Sequence, residues 1–175
     1  MTDDVPATVW ARAAAIELAV FDVDGVLTDG RIILGPGGEE YKAFDVRDGL
    51  GMVRLRNAGV VLAIITGRSS AVVTARMREL GIGLVHQGVA DKGACLATLQ
   101  ETLAIPVTGT CYLGDDLPDL APMAQAGLAV AVGDACPEVR ARADWTTRAT
   151  GGRGAARELC ELILAARAAA PGTRA

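Results

Sequence analysis

Five short runs of nearly continuous apolar residues recur along the chain: Leu18 to Phe21, Val60 to Ile65, Gly83 to His86, Thr110 to Leu113 and Leu128 to Val132. Because they do not alternate apolar with polar, they predict parallel strands buried on both faces. Between them, Gly49 to Ala58, Ser70 to Leu80, Lys92 to Leu103 and Pro118 to Ala126 have helical length and spacing. Strand and helix alternate, so the expected class is α/β, a doubly wound, Rossmann-like parallel sheet. One segment breaks the rhythm. Arg31 to Leu34 and Glu39 to Phe44 flank Gly35-Pro36-Gly37-Gly38, which reads as a β-hairpin inserted after the first strand, at about 31–44. A lone hairpin is marginal in water and must lean on the sheet or on another subunit. Near the other end, Gly151-Gly152-Arg153-Gly154 forms a flexible cationic link into a final helix from about Ala155 to Ala169, and the tail after Pro171 is expected to fray.

Composition narrows this picture. The 175 residues, 51% hydrophobic, suit a single domain over 1–175. A net charge of -4 with few aromatic residues argues against a nucleic-acid surface. No stretch approaches the roughly 20 apolar residues of a membrane helix, and Asp3, Asp4 and Pro6 do not read as a signal peptide, so a cytoplasmic location is expected. Cys95, Cys111, Cys136 and Cys160 are too dispersed for a zinc site or a disulfide framework and read as buried small hydrophobes. His86, the one histidine, reads as a core or edge residue. The basic residues are 15 arginines and only two lysines, Lys42 and Lys92, so each lysine invites a reason.

The chemistry collects at strand ends. The first strand runs into Asp22-Val23-Asp24-Gly25-Val26-Leu27-Thr28-Asp29-Gly30, another into Thr66-Gly67-Arg68, and a third into Gly114-Asp115-Asp116-Leu117-Pro118-Asp119. The carboxyl edge of an open α/β sheet is where such folds place their sites. Like charges about 4 Å apart at an effective dielectric near 20 repel by roughly 4 kcal/mol per pair. A cluster of Asp22, Asp24 and Asp115 therefore needs a cation or raised pKa values, and an all-oxygen ligand set points to magnesium. Lys92 opens a helix beside these elements, where a compact ammonium enters a site that a planar guanidinium would not. Lys42, between Glu39, Glu40 and the rest of the hairpin, reads instead as a solvated surface charge.

With Asp22-x-Asp24, Thr66, Lys92 and Gly114-Asp115-Asp116-x-x-Asp119 in that order, the sequence resembles the haloacid dehalogenase superfamily of phosphohydrolases. Asp45-Val46-Arg47-Asp48-Gly49, the hairpin and Gly151-Gly152-Arg153-Gly154-Ala155-Ala156-Arg157-Glu158 extend the likeness to its capless phosphatases of acidic eight-carbon sugar phosphates, which serve lipopolysaccharide precursor synthesis. The resemblance implies Asp22 as nucleophile, Asp24 as general acid and base, and Thr66, the Gly67 amide and Lys92 on the phosphoryl oxygens. It implies Mg2+ on Asp22, the Asp24 carbonyl and Asp115, with Asp116 and Asp119 behind them. It also implies a homotetramer in which neighbours complete each site, with Arg68, and Arg47 behind it, taking the substrate carboxylate within the subunit and Arg153 and Arg157 reaching a neighbour's substrate. Two alternatives remain open: a sialic-acid-like 9-phosphate as substrate, and a non-catalytic partner of a sugar nucleotidyltransferase.

Overall fold

The computed structural model describes residues 5–170; Asp3, Asp4 and the expected frayed tail after Pro171 lie outside the described residues. Six strands, β1 (Leu18–Phe21), β4 (Val61–Ile65), β5 (Leu84–His86), β6 (Thr110–Gly114), β7 (Leu128–Ala131) and β8 (Trp145–Thr146), form a parallel sheet in the order β5-β4-β1-β6-β7-β8. The chain starts at the centre and winds outward first to one side, then to the other, which is the doubly wound arrangement the apolar runs predict. β1 pairs Leu18 with Val61 and Thr110, and Phe21 with Ile64 and Leu113. All of β1 and β7, and every residue of β6, is buried, as strands covered on both faces must be.

The helices that cover the sheet are α2 (Val46–Asn57), α3 (Ala71–Glu79), α4 (Lys92–Leu103) and α7 (Ala155–Ala169). Asp45 starts α2 three residues before the apolar spacing suggests, because its side chain accepts the Arg47 N–H and caps the helix. Asp91 caps α4 by accepting the Ala94 N–H. α7 is not an appendage: Leu159, Cys160, Leu162 and Ile163 are all core residues. Asp48 of α2, itself buried, accepts the N–H groups of Gly154 and Arg157 and so fastens the start of α7.

Several elements depart from expectation. The single helix expected over Pro118 to Ala126 is a 3-10 turn, Leu117–Asp119, followed by a short α5 (Leu120–Met123). Pro122 lacks the N–H that a continuous helix would donate to the Pro118 carbonyl, whereas Pro118 stands in the first turn, where proline is tolerated. α1 (Ala7–Ala14), α6 (Pro137–Arg140) and the edge strand β8 have no counterpart among the sequence patterns. α1 is alanine-rich, so its apolar face, Val9 and Ala13, is hard to tell from the rest of it. After β1 the chain forms β2 (Ile33–Leu34) and β3 (Glu40–Tyr41), paired antiparallel with Ile33 opposite Tyr41. This ladder is shorter than the 31–44 span of the sequence pattern, and it joins no strand of the main sheet.

Candidate active site

β1, β4 and β6 deliver Asp22, Thr66 and Asp115 to one edge of the sheet. The loop after β1 turns sharply: the Leu27 and Thr28 N–H groups both donate to the Val23 carbonyl, at 2.9 and 3.0 Å. Gly25 lies in the left-handed region at φ +88°, and a Cβ there would collide with the Asp115 carboxylate. The absence of a side chain at Gly25 is thus what lets the loops after β1 and β6 meet.

Asp22 is buried, and its two oxygens are used differently. Oδ1 accepts the Val23 N–H at 2.7 Å, while Oδ2 lies 2.7 Å from Lys92 Nζ. Burial raises its pKa to about 6, helped by the negative charge of Asp119 and opposed by Lys92. Lys92, also buried, bridges Asp22 and Asp119, with 2.7 Å to each. Burial works against its charge, but the two carboxylates outweigh this and its pKa rises.

Asp119 is fully enclosed and accepts four donors: Lys92 Nζ at 2.7 Å and the Tyr112 hydroxyl at 2.9 Å on Oδ1, with the N–H groups of Asp115 at 2.9 Å and Asp116 at 3.3 Å on Oδ2. Its lone pairs are all occupied, so its work is to hold Lys92 and the turn after β6. Asp116 is exposed and caps that turn through the Leu117 N–H.

Asp115 is different. Its Oδ1 is buried without any hydrogen-bond partner, and burial together with Asp119 and Asp22 raises its pKa to about 8. Carboxylate oxygens of Asp22, Asp115 and Asp119 lie within 4.8 Å of one another. With Asp119 saturated by its donors, Asp22 and Asp115 are the pair with capacity to spare for a cation. An orphaned, buried carboxylate oxygen beside a second carboxylate is the donor set a hard divalent cation takes.

The remaining residues divide into two places. Thr66 is buried at the end of β4, tied by its N–H to the His86 carbonyl, with Gly67 and Arg68 exposed beyond it. Arg68 reaches Glu40 at 2.9 Å and Asp24 at 3.6 Å. Arg47, Arg153 and Arg157 instead line a groove of about 920 Å³ along α7 with Trp145 and Arg148; none of Asp22, Asp24, Thr66, Lys92 and Asp115 lines it. Arg47 is paired with Asp45 and Arg157 with Glu161. The groove and the acidic site are nevertheless linked through the backbone, since Gly152 donates its N–H to Val26 and a Cβ on Gly151 would overlap the Gly25 carbonyl.

Lys42 corrects the sequence reading. Its side chain is 1% exposed and its ammonium is bonded to Asp24 Oδ1, with Glu40 at 3.4 Å. The scarcity of lysine that drew attention to Lys92 pointed equally to Lys42, but the flanking glutamates suggested solvent. The cysteines divide: Cys111 and Cys160 are buried, Cys95 and Cys136 only partly. His86 sits half-buried on the edge strand β5.

The topology and this set of strand-end residues define a haloacid dehalogenase-like hydrolase, and the sequence profile of that family matches residues 82–159. The 3-deoxy-D-manno-octulosonate 8-phosphate phosphatase of Escherichia coli K12 is 48% identical over 162 residues, covering 93% of this chain and 86% of that protein. A crystal structure of the Moraxella catarrhalis phosphatase of the same name, in complex with magnesium, phosphate and KDO, superposes with a TM-score of 0.90 at 48% identity, over 91% of this chain and 92% of that one. The cobalt-bound Haemophilus influenzae enzyme gives 0.87 at 37% identity, over 90% and 92%. Within the class, the chain belongs to the 3-deoxy-D-manno-octulosonate 8-phosphate phosphatase family.

Proposed function

We propose that the chain hydrolyses 3-deoxy-D-manno-octulosonate 8-phosphate to the free sugar acid and phosphate, in lipopolysaccharide precursor synthesis. The observation that carries this reading is a buried carboxylate, Asp22, held by Lys92 beside the orphaned oxygen of Asp115, in a chain so similar to phosphatases of that name. Asp22, Asp115 and the main-chain carbonyl of Asp24 would hold Mg2+, which when bound offsets the repulsion between the nucleophile and a phosphate dianion. Asp22 attacks phosphorus, forming an aspartyl-phosphate as the bond to the sugar oxygen breaks. Asp24 protonates that departing oxygen and then takes a proton from the water that cleaves the acyl phosphate. Lys92, Thr66 and the Gly67 amide stabilise the charge that grows on the phosphoryl oxygens.

Arg68 is the substrate-carboxylate ligand within the subunit, and Arg153 and Arg157 serve a neighbour's substrate; Arg47, expected behind Arg68, lines their groove instead and goes with them. The assembly is a homotetramer built on the hairpins. In support, Ile33, Leu34 and Tyr41 are 48%, 64% and 55% exposed on a two-stranded ladder with both edges open, and Ile32 just before it is 55% exposed, a surface that calls for a partner. Free cysteines suit a reducing cytoplasm, and among the described residues no helix is long and apolar enough to cross a membrane.

The test is a steady-state comparison of this substrate, a sialic-acid-like 9-phosphate and unrelated sugar phosphates, with and without Mg2+, for the wild type and Asp22→Asn. Metal-dependent preference for the eight-carbon acid and an inactive variant are expected. Equal rates across the set would overturn the specificity, and preference for the 9-phosphate would reassign the substrate. Absence of any phosphate release would leave the role of a non-catalytic partner.

A further inference from the structure

Asp24, the residue assigned the proton transfers, is held from outside its own loop. Lys42, one residue past β3, reaches from the hairpin to bond Asp24 Oδ1, and Glu40 Oε1 lies 3.4 Å from the same ammonium. Arg68 completes the ring, 2.9 Å from Glu40 Oε1 and 3.6 Å from Asp24 Oδ2. The two cations differ in access. The Arg68 side chain is 48% exposed and free to turn toward a ligand, while the Lys42 side chain is 1% exposed and has no open face to offer one.

We infer that Lys42 is a positioning residue for Asp24: it holds Oδ1 so that Oδ2 is the oxygen that passes the proton to the sugar alkoxide and recovers one from water. This rests on the phosphatase reading above. The physical need is specific. Asp24 is partly exposed, and once Arg68 turns to a substrate carboxylate, Lys42 is the remaining charged partner that keeps the Asp24 carboxylate aimed. The hairpin thereby enters the chemistry. Through Lys42, a segment that belongs to no strand of the main sheet sets the geometry of the proton donor, so the hairpin's seating and the acid's aim are one variable.

The leaving group separates positioning from other roles. A sugar alkoxide needs its proton as the P–O bond breaks, whereas p-nitrophenolate leaves without one. The experiment compares wild type and Lys42→Met on the sugar phosphate and on p-nitrophenyl phosphate, by steady-state and stopped-flow assays with Mg2+. For the variant, kcat on the sugar phosphate is expected to fall by about 10- to 100-fold with KM changed less than about threefold, less than the roughly 100-fold or more of losing the general acid outright because Asp24 itself remains. p-Nitrophenyl phosphate should still give a rapid burst close to one nitrophenolate per site, followed by slow turnover, because phosphorylation of Asp22 survives and hydrolysis of the acyl phosphate does not. In an Asp24→Asn background, adding Lys42→Met should cost less than about threefold more, since a residue acting through Asp24 has nothing left to position.

Equal losses on both substrates without a burst, a rise confined to KM, or fully multiplicative effects in the double variant would each overturn the inference. The burst amplitude counts competent sites. If Lys42→Met does not fold, Lys42→Arg carries the same comparison, because a planar guanidinium in this enclosed position displaces the Asp24 carboxylate while keeping the charge. A wild-type enzyme that does not hydrolyse the sugar phosphate would instead refute the phosphatase reading itself.

Discussion

Replacing Asp119 by Asn changes one polar group of a buried carboxylate that accepts four hydrogen bonds. The wild-type side chain is enclosed and accepts from Lys92 and Tyr112 on one oxygen and from the N–H groups of Asp115 and Asp116 on the other. An amide has one acceptor oxygen, so whichever way it turns, its NH2 faces two donors and leaves both without an acceptor. Each buried donor so stranded costs about 1–3 kcal/mol, and removing one partner of a buried ion pair costs about 3–5 kcal/mol. These overlap, because Lys92 is counted in both. A compensating gain also exists: Asp119 is one of the charges that raise the pKa values of Asp22 and Asp115, and its loss relieves that repulsion.

The net expectation is a loss of about 3 kcal/mol, at the lower end of the ion-pair range. For a domain of this size that is a fall of roughly 6–12 °C in Tm. Differential scanning calorimetry in EDTA measures it, with Asp116→Asn as a control expected to cost under about 1 kcal/mol because that side chain caps an exposed turn. A Tm within about 2 °C of wild type would refute the account of Asp119 as the anchor of Lys92 and of the turn.

Three further outcomes follow from the same geometry. Gly151→Ala, whose Cβ would overlap the Gly25 carbonyl, should lower activity at least about tenfold by pushing the loop that carries Asp24, and unchanged kinetics would show that link and loop move independently. Without metal, Asp22 and Asp115 hold protons in the native state that the unfolded chain releases near pH 4. Their contribution to stability is therefore present below that value and lost as pH rises through about 6 and about 8. Tm in EDTA should fall between pH 5 and about 8.5, and Mg2+, which takes the protons' place, should raise Tm more at the higher pH; a flat profile in both conditions would contradict the raised values. If the proposed tetramer is built on the hairpins, Ile33→Asp with Leu34→Asp should dissociate it in light scattering while leaving the monomer folded, since both side chains are already exposed within the subunit. Retention of the tetramer would move the interface elsewhere.

Removing the chain from Gly151 onward is not a clean probe of the arginines there. α7 contributes Leu159, Cys160 and Ile163 to the core, so truncation removes part of the fold, and Arg153→Ala is the appropriate change.

The central strands were legible in the sequence because a parallel strand buried on both faces leaves an unbroken apolar run, and β1, β4, β6 and β7 each leave one. Asp22, Thr66 and Asp115 were legible for a related reason: each stands at the end of such a run, where the sheet's carboxyl edge must be. α1 and β8 left no comparable signal, the first because alanine blurs the contrast between faces, the second because a two-residue edge strand has no pattern to show. What only the tertiary structure decided was which charge meets which. Asp119 holds Lys92 across 27 residues and Lys42 holds Asp24 across 18, pairings that depend on how loops fold over the sheet edge and on the exclusion of water there. A glutamate-flanked lysine on a hairpin reads as solvated by its neighbours in sequence; burial against the loop after β1 makes it the partner of Asp24. Local composition determines which residues can carry charge, and desolvation, a property of the folded whole, determines which of those charges must be answered.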